Sequence, residues 1–141
     1  MTSTIQSCGG CICGAVKIKA LTMSTKASAC HCDTCRKWGG GPLMAVECQQ
    51  SVEFFGEEYI SVFDSSEWAE RGFCGKCGTH LFYRLKQSQH YHMPIGLFTQ
   101  ESELVFDHQV FIEQKPEYYS FSNKTINMTG EELFNSVSNQ K

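Results

Sequence analysis

Apolar and polar residues alternate along much of the chain with a period of two, the pattern of strands that bury one face. The alternation is direct in "AVKIKAL" (15–21) and "YISVF" (59–63). Four further short apolar runs predict strands: "LMAVEC" (43–48), "VEFF" (52–55), "THLFYRL" (79–85) and "YHMPIGLF" (91–98). Pro94, inside the last run, predicts an edge position or a bulge, because proline cannot donate to a ladder. "FFGEEYI" predicts a hairpin turn centred on Gly56. Helical periodicity is scarce. "TGEELFNSV" (129–137) has Thr129 three positions ahead of Glu132, a capping box, with Leu133, Phe134 and Val137 at helical spacing behind it. A turn or one short helix is expected after Cys35, over Arg36–Trp38, and residues 138–141 are expected to fray. No repeat, low-complexity tract or linker interrupts the pattern. The expectation is a single, mainly β domain over 1–141 with few short helices.

Composition narrows the function classes. A formal net charge of -3 and a pI near 5.9 give no electrostatic footprint for nucleic acid or an anionic membrane, so neither partner is expected. No run of eighteen apolar residues is present, and the first twenty residues lack the apolar core of a signal peptide. A cytoplasmic, thiol-reducing location is therefore expected. Nine cysteines then read as metal ligands before they read as disulfides.

Seven of the nine fall into motifs: Cys11-x-Cys13, Cys30-x-Cys32-x-x-Cys35 and Cys74-x-x-Cys77. Residues i and i+2 of a strand project to one face, so a C-x-C can point two thiolates at one ion. A C-x-x-C turn wraps its backbone around the metal. Gly14, Gly75 and Gly78 supply the tight backbone such knuckles need. Counting ligands, Cys11, Cys13, Cys74 and Cys77 make a closed tetrahedral site for a structural zinc. Cys30, Cys32 and Cys35 make a three-ligand set whose fourth position is open, the pattern of a catalytic zinc. Other groupings compete: Cys8, Cys48 or His31 could complete the second site, or Cys8, Cys11 and Cys13 could act as a triplet. His31 lies between two ligands and, in extended chain, points away from them, which favours a packing or supporting role.

The segments "GGCICGAV" (9–16), "ACHCDTCRKWGG" (29–40) and "DSSEWAERGFCGKCGTHLF" (64–82) together resemble the glutathione-dependent formaldehyde-activating enzyme (GFA) family, also called centromere-protein-V-like. The resemblance runs over roughly residues 8–120 and implies an Mss4-like fold of curved antiparallel sheets. It also implies two zinc ions per chain: a structural one on Cys11, Cys13, Cys74 and Cys77, and a catalytic one on Cys30, Cys32 and Cys35. The implied activity is that of a carbon–sulfur lyase joining glutathione and formaldehyde into S-hydroxymethylglutathione. The chain departs from the pattern near its C-terminus. There a histidine position is filled by Gln109, next to His108, and a tryptophan position by Tyr118.

Three thiolates and Zn²⁺ carry one net negative charge, which suits capture of a substrate thiol better than activation of water. The expected partner is thus a small-molecule thiol or thiol adduct, glutathione among them. Arg36 and Lys37, directly after the triplet, are the candidates for contacting its carboxylates. Gly39, Gly40 and Gly41 could let backbone amides approach an anion, or simply form a loop. Trp38 reads as a core or lid contact, His90 and His92 as sharing one strand face, and Ser65, Ser66 and Arg71 as turn- and loop-fixing groups. A non-catalytic zinc-stabilised binding module is the alternative to the lyase.

Overall fold

Alternation in the second strand buries Ile18 and Ala20 while Lys17 and Leu21 face solvent, and a register shift against the first strand then turns Met23 inward. The same alternation builds most of the molecule. In the computed structural model, which describes residues 3–99 and 103–138, eleven strands and two α-helices follow in order. The strands are β1 (Thr4–Gly10), β2 (Lys17–Ser24), β3 (Lys26–Cys30), β4 (Leu43–Gln49), β5 (Val52–Phe55), β6 (Ile60–Phe63), β7 (Ala69–Cys74), β8 (His80–Leu85), β9 (Tyr91–Pro94), β10 (Val105–Val110) and β11 (Ile126–Met128). The helices are α1 (Asp33–Gly39) and α2 (Gly130–Ser138).

A three-stranded antiparallel sheet, β1-β2-β5, covers part of an eight-stranded sheet of order β11-β10-β3-β4-β9-β8-β7-β6. From β3 to β6 every neighbour is antiparallel; β10 runs parallel to both β3 and β11. The core lies between the sheets. Val16, Ile18 and Met23 meet Val46, Leu81, Phe82 and Met93, all at most 2% exposed. Phe54 of β5 closes it, with ring centroids 5.6 Å from Phe82 and 5.5 Å from Tyr91. Each such large side chain contributes roughly 1.5–3 kcal/mol by leaving water, so the mainly β core needs no long helix.

The structure alters several expectations. Gly56 does not turn a hairpin: β5 pairs with β2, and β6 pairs with β7 in the other sheet. Gly56, at φ 90°, is the crossing between sheets, and a side chain there would meet the Ala15 carbonyl oxygen at 2.0 Å. The run predicted over 91–98 ends as a strand at Pro94 and continues as a 3₁₀ turn, Ile95–Leu97. β9 lies between β4 and β8, but its ladder to β8 stops at His92. Pro94 therefore pairs with Ala45 of β4 alone, and its missing N–H falls on a locally unpaired side of the strand's end. α1 starts earlier than expected, at Asp33, so Cys35 is inside it. β1, β3, β7, β10 and β11 went unpredicted.

The capping box of α2 is formed: Thr129 N–H donates to Glu132 Oε1 (2.9 Å) and Glu132 N–H to Thr129 Oγ1 (3.1 Å). Of the residues expected to fray, Ser138 belongs to α2 and 139–141 lie outside the described residues. Among the described residues, no helix is long and apolar enough to cross a membrane.

Candidate metal centres and the adjoining cavity

Two turns from distant parts of the chain bring four sulfurs together. Cys11 and Cys13 lie in the turn after β1, not on a strand. Cys11 N–H donates to Val16 O and Gly14 N–H to Cys11 O, which curls the segment around its sulfurs. Cys74 ends β7 and Cys77 lies in the β7–β8 turn, where Gly78 N–H donates to Cys74 O. Gly14 and Gly78 follow the second cysteine of their knuckles, and both have φ 79°, a left-handed conformation that costs glycine nothing. Ile12 N–H reaches Thr79 Oγ1 at 3.2 Å and joins the two knuckles.

The four Sγ atoms lie within 4.8 Å of one another, with Cys11–Cys13 at 3.6 Å and Cys13–Cys74 at 3.8 Å. Sulfurs around a tetrahedral zinc with bonds of ~2.3 Å stand about 3.8 Å apart. Val16 N–H donates to Cys11 Sγ, and hydrogen bonds from Thr79 hold Cys77 down at about 5, so part of the set favours the thiolate form. Donor type, number and spacing all fit a zinc ion.

Cys30, Cys32 and Cys35 form the second cluster, again within 4.8 Å. Cys30 ends β3, Cys32 is the N-cap of α1, and Cys35 is buried in its first turn. The sulfurs therefore converge through a strand-to-helix junction. Cys35 N–H donates to Cys32 Sγ at 3.4 Å. Hydrogen bonds from Cys30 and Cys35 hold Cys32 well below the ordinary thiol range, and the same contacts push Cys30 above it. Thiols that compete for one shared spot in this way surrender their protons together to a cation placed between them. The three-sulfur set, too, fits zinc.

The competing groupings do not assemble. Cys8 is exposed on β1, and Cys48 is fully buried in the core, its thiol pushed up to about 12 by burial. His31 points away from the sulfurs, as extended geometry requires. Its Nδ1 is 2.8 Å from Tyr119 Oη and its Nε2 is 2.7 Å from Gln109 Oε1. Gln109 Nε2 in turn donates to Thr125 Oγ1. The amide oxygen can only accept, so Nε2 carries the proton and Nδ1 accepts from the tyrosine. Burial lowers the His31 pKa, in keeping with this neutral form. Gln109, a departure noted in the sequence, is thus a partner of the residue behind the triplet.

His31→Leu is expected to leave the Tyr119 hydroxyl and Gln109 amide unpaired. It should cost about 3 kcal/mol in denaturant unfolding and weaken zinc binding at the triplet by roughly 10- to 100-fold.

The triplet stands on the wall of a cavity of about 270 Å³. Arg36 and Lys37 do not line it: Arg36 Nε donates to the His31 carbonyl, and Lys37 is exposed with Asp33 as its ionic partner. Arg71 of β7 is the cation that lines it. At 3% exposure its Nη2 lies 3.5 Å from Cys35 Sγ, while Nε and Nη1 have no hydrogen-bond partner. Its guanidinium sits between the rings of Trp38 (5.0 Å) and Tyr83 (4.9 Å), and Trp38 stacks on His80 at 3.9 Å. Among the described residues it has no carboxylate partner. Ser65 and Ser66 do fix a turn, through Ala69. Arg71 does not share that role; its signal in the sequence was a charge on an inward position of the strand "AERGFC".

His92 also lines the cavity, with His108, whose Nδ1 is 2.9 Å from Asp107 Oδ2. Burial lowers the His92 pKa and favours its neutral form. His90 turns away to Glu47, 3.3 Å distant. Trp68, Phe111, Leu133 and Phe134 give the cavity apolar lining, and Ser28, Thr34, Ser65 and Ser66 add hydroxyls to it.

Comparisons with known proteins show the family and the fold. A protein of Schizosaccharomyces pombe named as an uncharacterized lyase is 38% identical over 130 residues, covering 92% of this chain and 95% of its own. The crystal structure of a Rhodobacter sphaeroides protein superimposes with a TM-score of 0.57 at 18% identity, over 86% of this chain and 99% of that one, a likeness of fold. The family model described as "Glutathione-dependent formaldehyde-activating enzyme" matches residues 6–114. Two cysteine clusters that could hold metal ions, carried on an Mss4-like, mainly β framework, thus place the chain in a family already named: it belongs to the glutathione-dependent formaldehyde-activating enzyme family.

Proposed function

We propose that the chain is a zinc-dependent carbon–sulfur lyase that forms or cleaves a thiol–aldehyde adduct of the S-hydroxymethylglutathione type. One observation carries the reading: all three cysteines of the triplet line one cavity together with the buried cation Arg71, whereas of the four-sulfur set Cys11 alone borders a shallower, more open groove that holds no Lys or Arg. Cys11, Cys13, Cys74 and Cys77 would hold a structural zinc, and Cys30, Cys32 and Cys35 a second one. That second ion, when bound, supplies a position at which a substrate thiol gives up its proton.

The chain's own residues account for the rest. Three thiolates on a divalent cation leave one negative charge, and a further thiolate adds another. Arg71, beside Cys35 Sγ, offsets that charge from within the protein. In the forward direction the sulfur forms a bond to the aldehyde carbon, and the carbonyl π pair moves onto oxygen. The proton lost by the thiol returns to that oxygen, and cleavage retraces these steps. His92 and His108 line the cavity and are the groups suited to carry the proton. Seven reduced cysteines are most secure in a reducing compartment such as the cytoplasm.

The test is reconstitution with two zinc equivalents, followed by exchange NMR of glutathione and formaldehyde. The lyase reading expects interconversion with S-hydroxymethylglutathione to accelerate by about 100-fold or more over protein lacking metal. No acceleration by the two-zinc protein would favour the non-catalytic module.

A further inference from the structure

The cavity beside the triplet has a mixed lining. It holds the sulfurs, Arg71 and the imidazoles, and beside them an apolar wall of Trp68, Phe111, Leu133 and Phe134, with Phe111 following Val110, the residue paired with Cys30. We propose that this wall selects among thiols, and that it favours a thiol carrying a compact apolar substituent, aromatic by preference. The proposal rests on reading the triplet as a thiol-binding centre.

Charge supplies the first argument. Glutathione bears two carboxylates and an ammonium. The described lining of the cavity offers Arg71 as its one permanent cation, and no aspartate or glutamate. Arg71 lies against Cys35 Sγ, where it serves the sulfur end of a ligand. The remaining charged groups of glutathione would be met by neutral hydroxyls such as Ser28, Thr34, Ser65 and Ser66 or stay in water at the open mouth. They gain little from the cavity, whereas an apolar substituent gains from the apolar lining.

The wall itself supplies the second. Phe134 of α2 stands edge-on to Trp68, with centroids 6.3 Å apart at 83°, and to Phe111, 5.9 Å apart at 84°. Trp68 and Phe134 nevertheless remain 55% and 51% exposed. Edge-to-face rings around an open space leave aromatic surface for a further ring.

The third is strain. Phe111 has φ 54°, a left-handed conformation unfavourable to a bulky residue, and its ring packs where a Gly130 side chain would stand, 2.4 Å from the Cβ position. The backbone at the end of β10 and the start of α2 are thus both shaped around this ring. Trp68 and Phe111 lie within the segment 6–114 that matches the family, and α2, beyond it, brings Leu133 and Phe134 to them. A thiol fixed by its sulfur at the triplet extends its substituent toward that wall.

Protein reconstituted with cobalt(II) reports thiol capture through its visible absorption bands. Titrations with phenylmethanethiol, glutathione and 2-mercaptoethanol are compared. Phenylmethanethiol is expected to bind at least about tenfold more tightly than either of the others. Phe134→Ala should weaken its binding about fivefold or more and leave 2-mercaptoethanol within twofold. Trp68→Ala, at an exposed loop position, should act in the same direction. Glutathione binding as tightly as phenylmethanethiol, or both variants binding phenylmethanethiol like the parent, would overturn the selectivity while leaving thiol capture standing. If none of the three thiols shifts the bands, the thiol-binding centre itself falls, and the selectivity with it.

Discussion

Cys74→Ser is expected to leave the protein largely unfolded at 25 °C. Cys74 is fully buried at the end of β7, and its sulfur faces Cys13, sixty-one residues earlier in the chain. A structural zinc held by four thiolates stabilises a fold by roughly 10–16 kcal/mol in apparent terms. The whole net stability of a domain is only about 5–15 kcal/mol. Removing one ligand therefore removes an amount comparable to everything that keeps the chain folded. It also releases the sulfur clasp that ties the β1–β2 turn to the β7–β8 turn, leaving the Ile12 N–H to Thr79 Oγ1 hydrogen bond to join them. The measurement is far-ultraviolet circular dichroism with zinc analysis, and a strong chelator should reproduce the effect in the parent protein. A cooperative unfolding transition within about 1 kcal/mol of the parent would show that the four-sulfur cluster holds no structural ion.

Cys32→Ser should do the opposite: activity falls by at least about 100-fold while the fold survives. Cys32 is the N-cap of α1, its sulfur accepting from Cys35 N–H. Serine is among the best N-cap residues, so the substitution keeps that hydrogen bond and the helix with it. It removes only a thiolate from a three-ligand set, which has none to spare. Thermal midpoints within a few degrees, together with loss of one zinc per chain and of adduct turnover, are the expected pattern. If Cys32→Ser unfolds as Cys74→Ser does, the triplet is a second structural clasp and the lyase reading fails.

The strands that were legible from sequence are those whose side chains announce burial. β4, β5 and β8 carry Val, Leu and Phe in short runs. The strands that escaped notice are poor in such residues. β3 reads "KASAC" and β7 "AERGFC", rich in Ala, Ser, Gly and charge, which local β preference disfavours. Both are strands because neighbours on each side complete their ladders: β10 and β4 flank β3, and β6 and β8 flank β7. The Gly56 turn was misjudged for the same reason. Its glycine and flanking apolar runs are those of a hairpin, and only the pairing of β5 with β2 sends it between sheets.

The sulfur groupings and the backward-facing His31 could be read from the chain alone. Ligand count, cysteine spacing and side-chain direction are local properties that hold whatever surrounds them. The same locality allowed the α2 capping box to be recognised from Thr129 and Glu132. Arg71, His92, His108, Trp68 and Phe134 could not be found that way. They come from β7, β9, β10, a loop and the C-terminal helix, and what they share is a cavity that forms only when those elements pack together. The cysteine motifs that could hold metal were thus written in short-range spacing, whereas the meeting of Cys11 and Cys13 with Cys74 and Cys77, and the shape, charge and apolar lining of the cavity, were decided by long-range strand pairing.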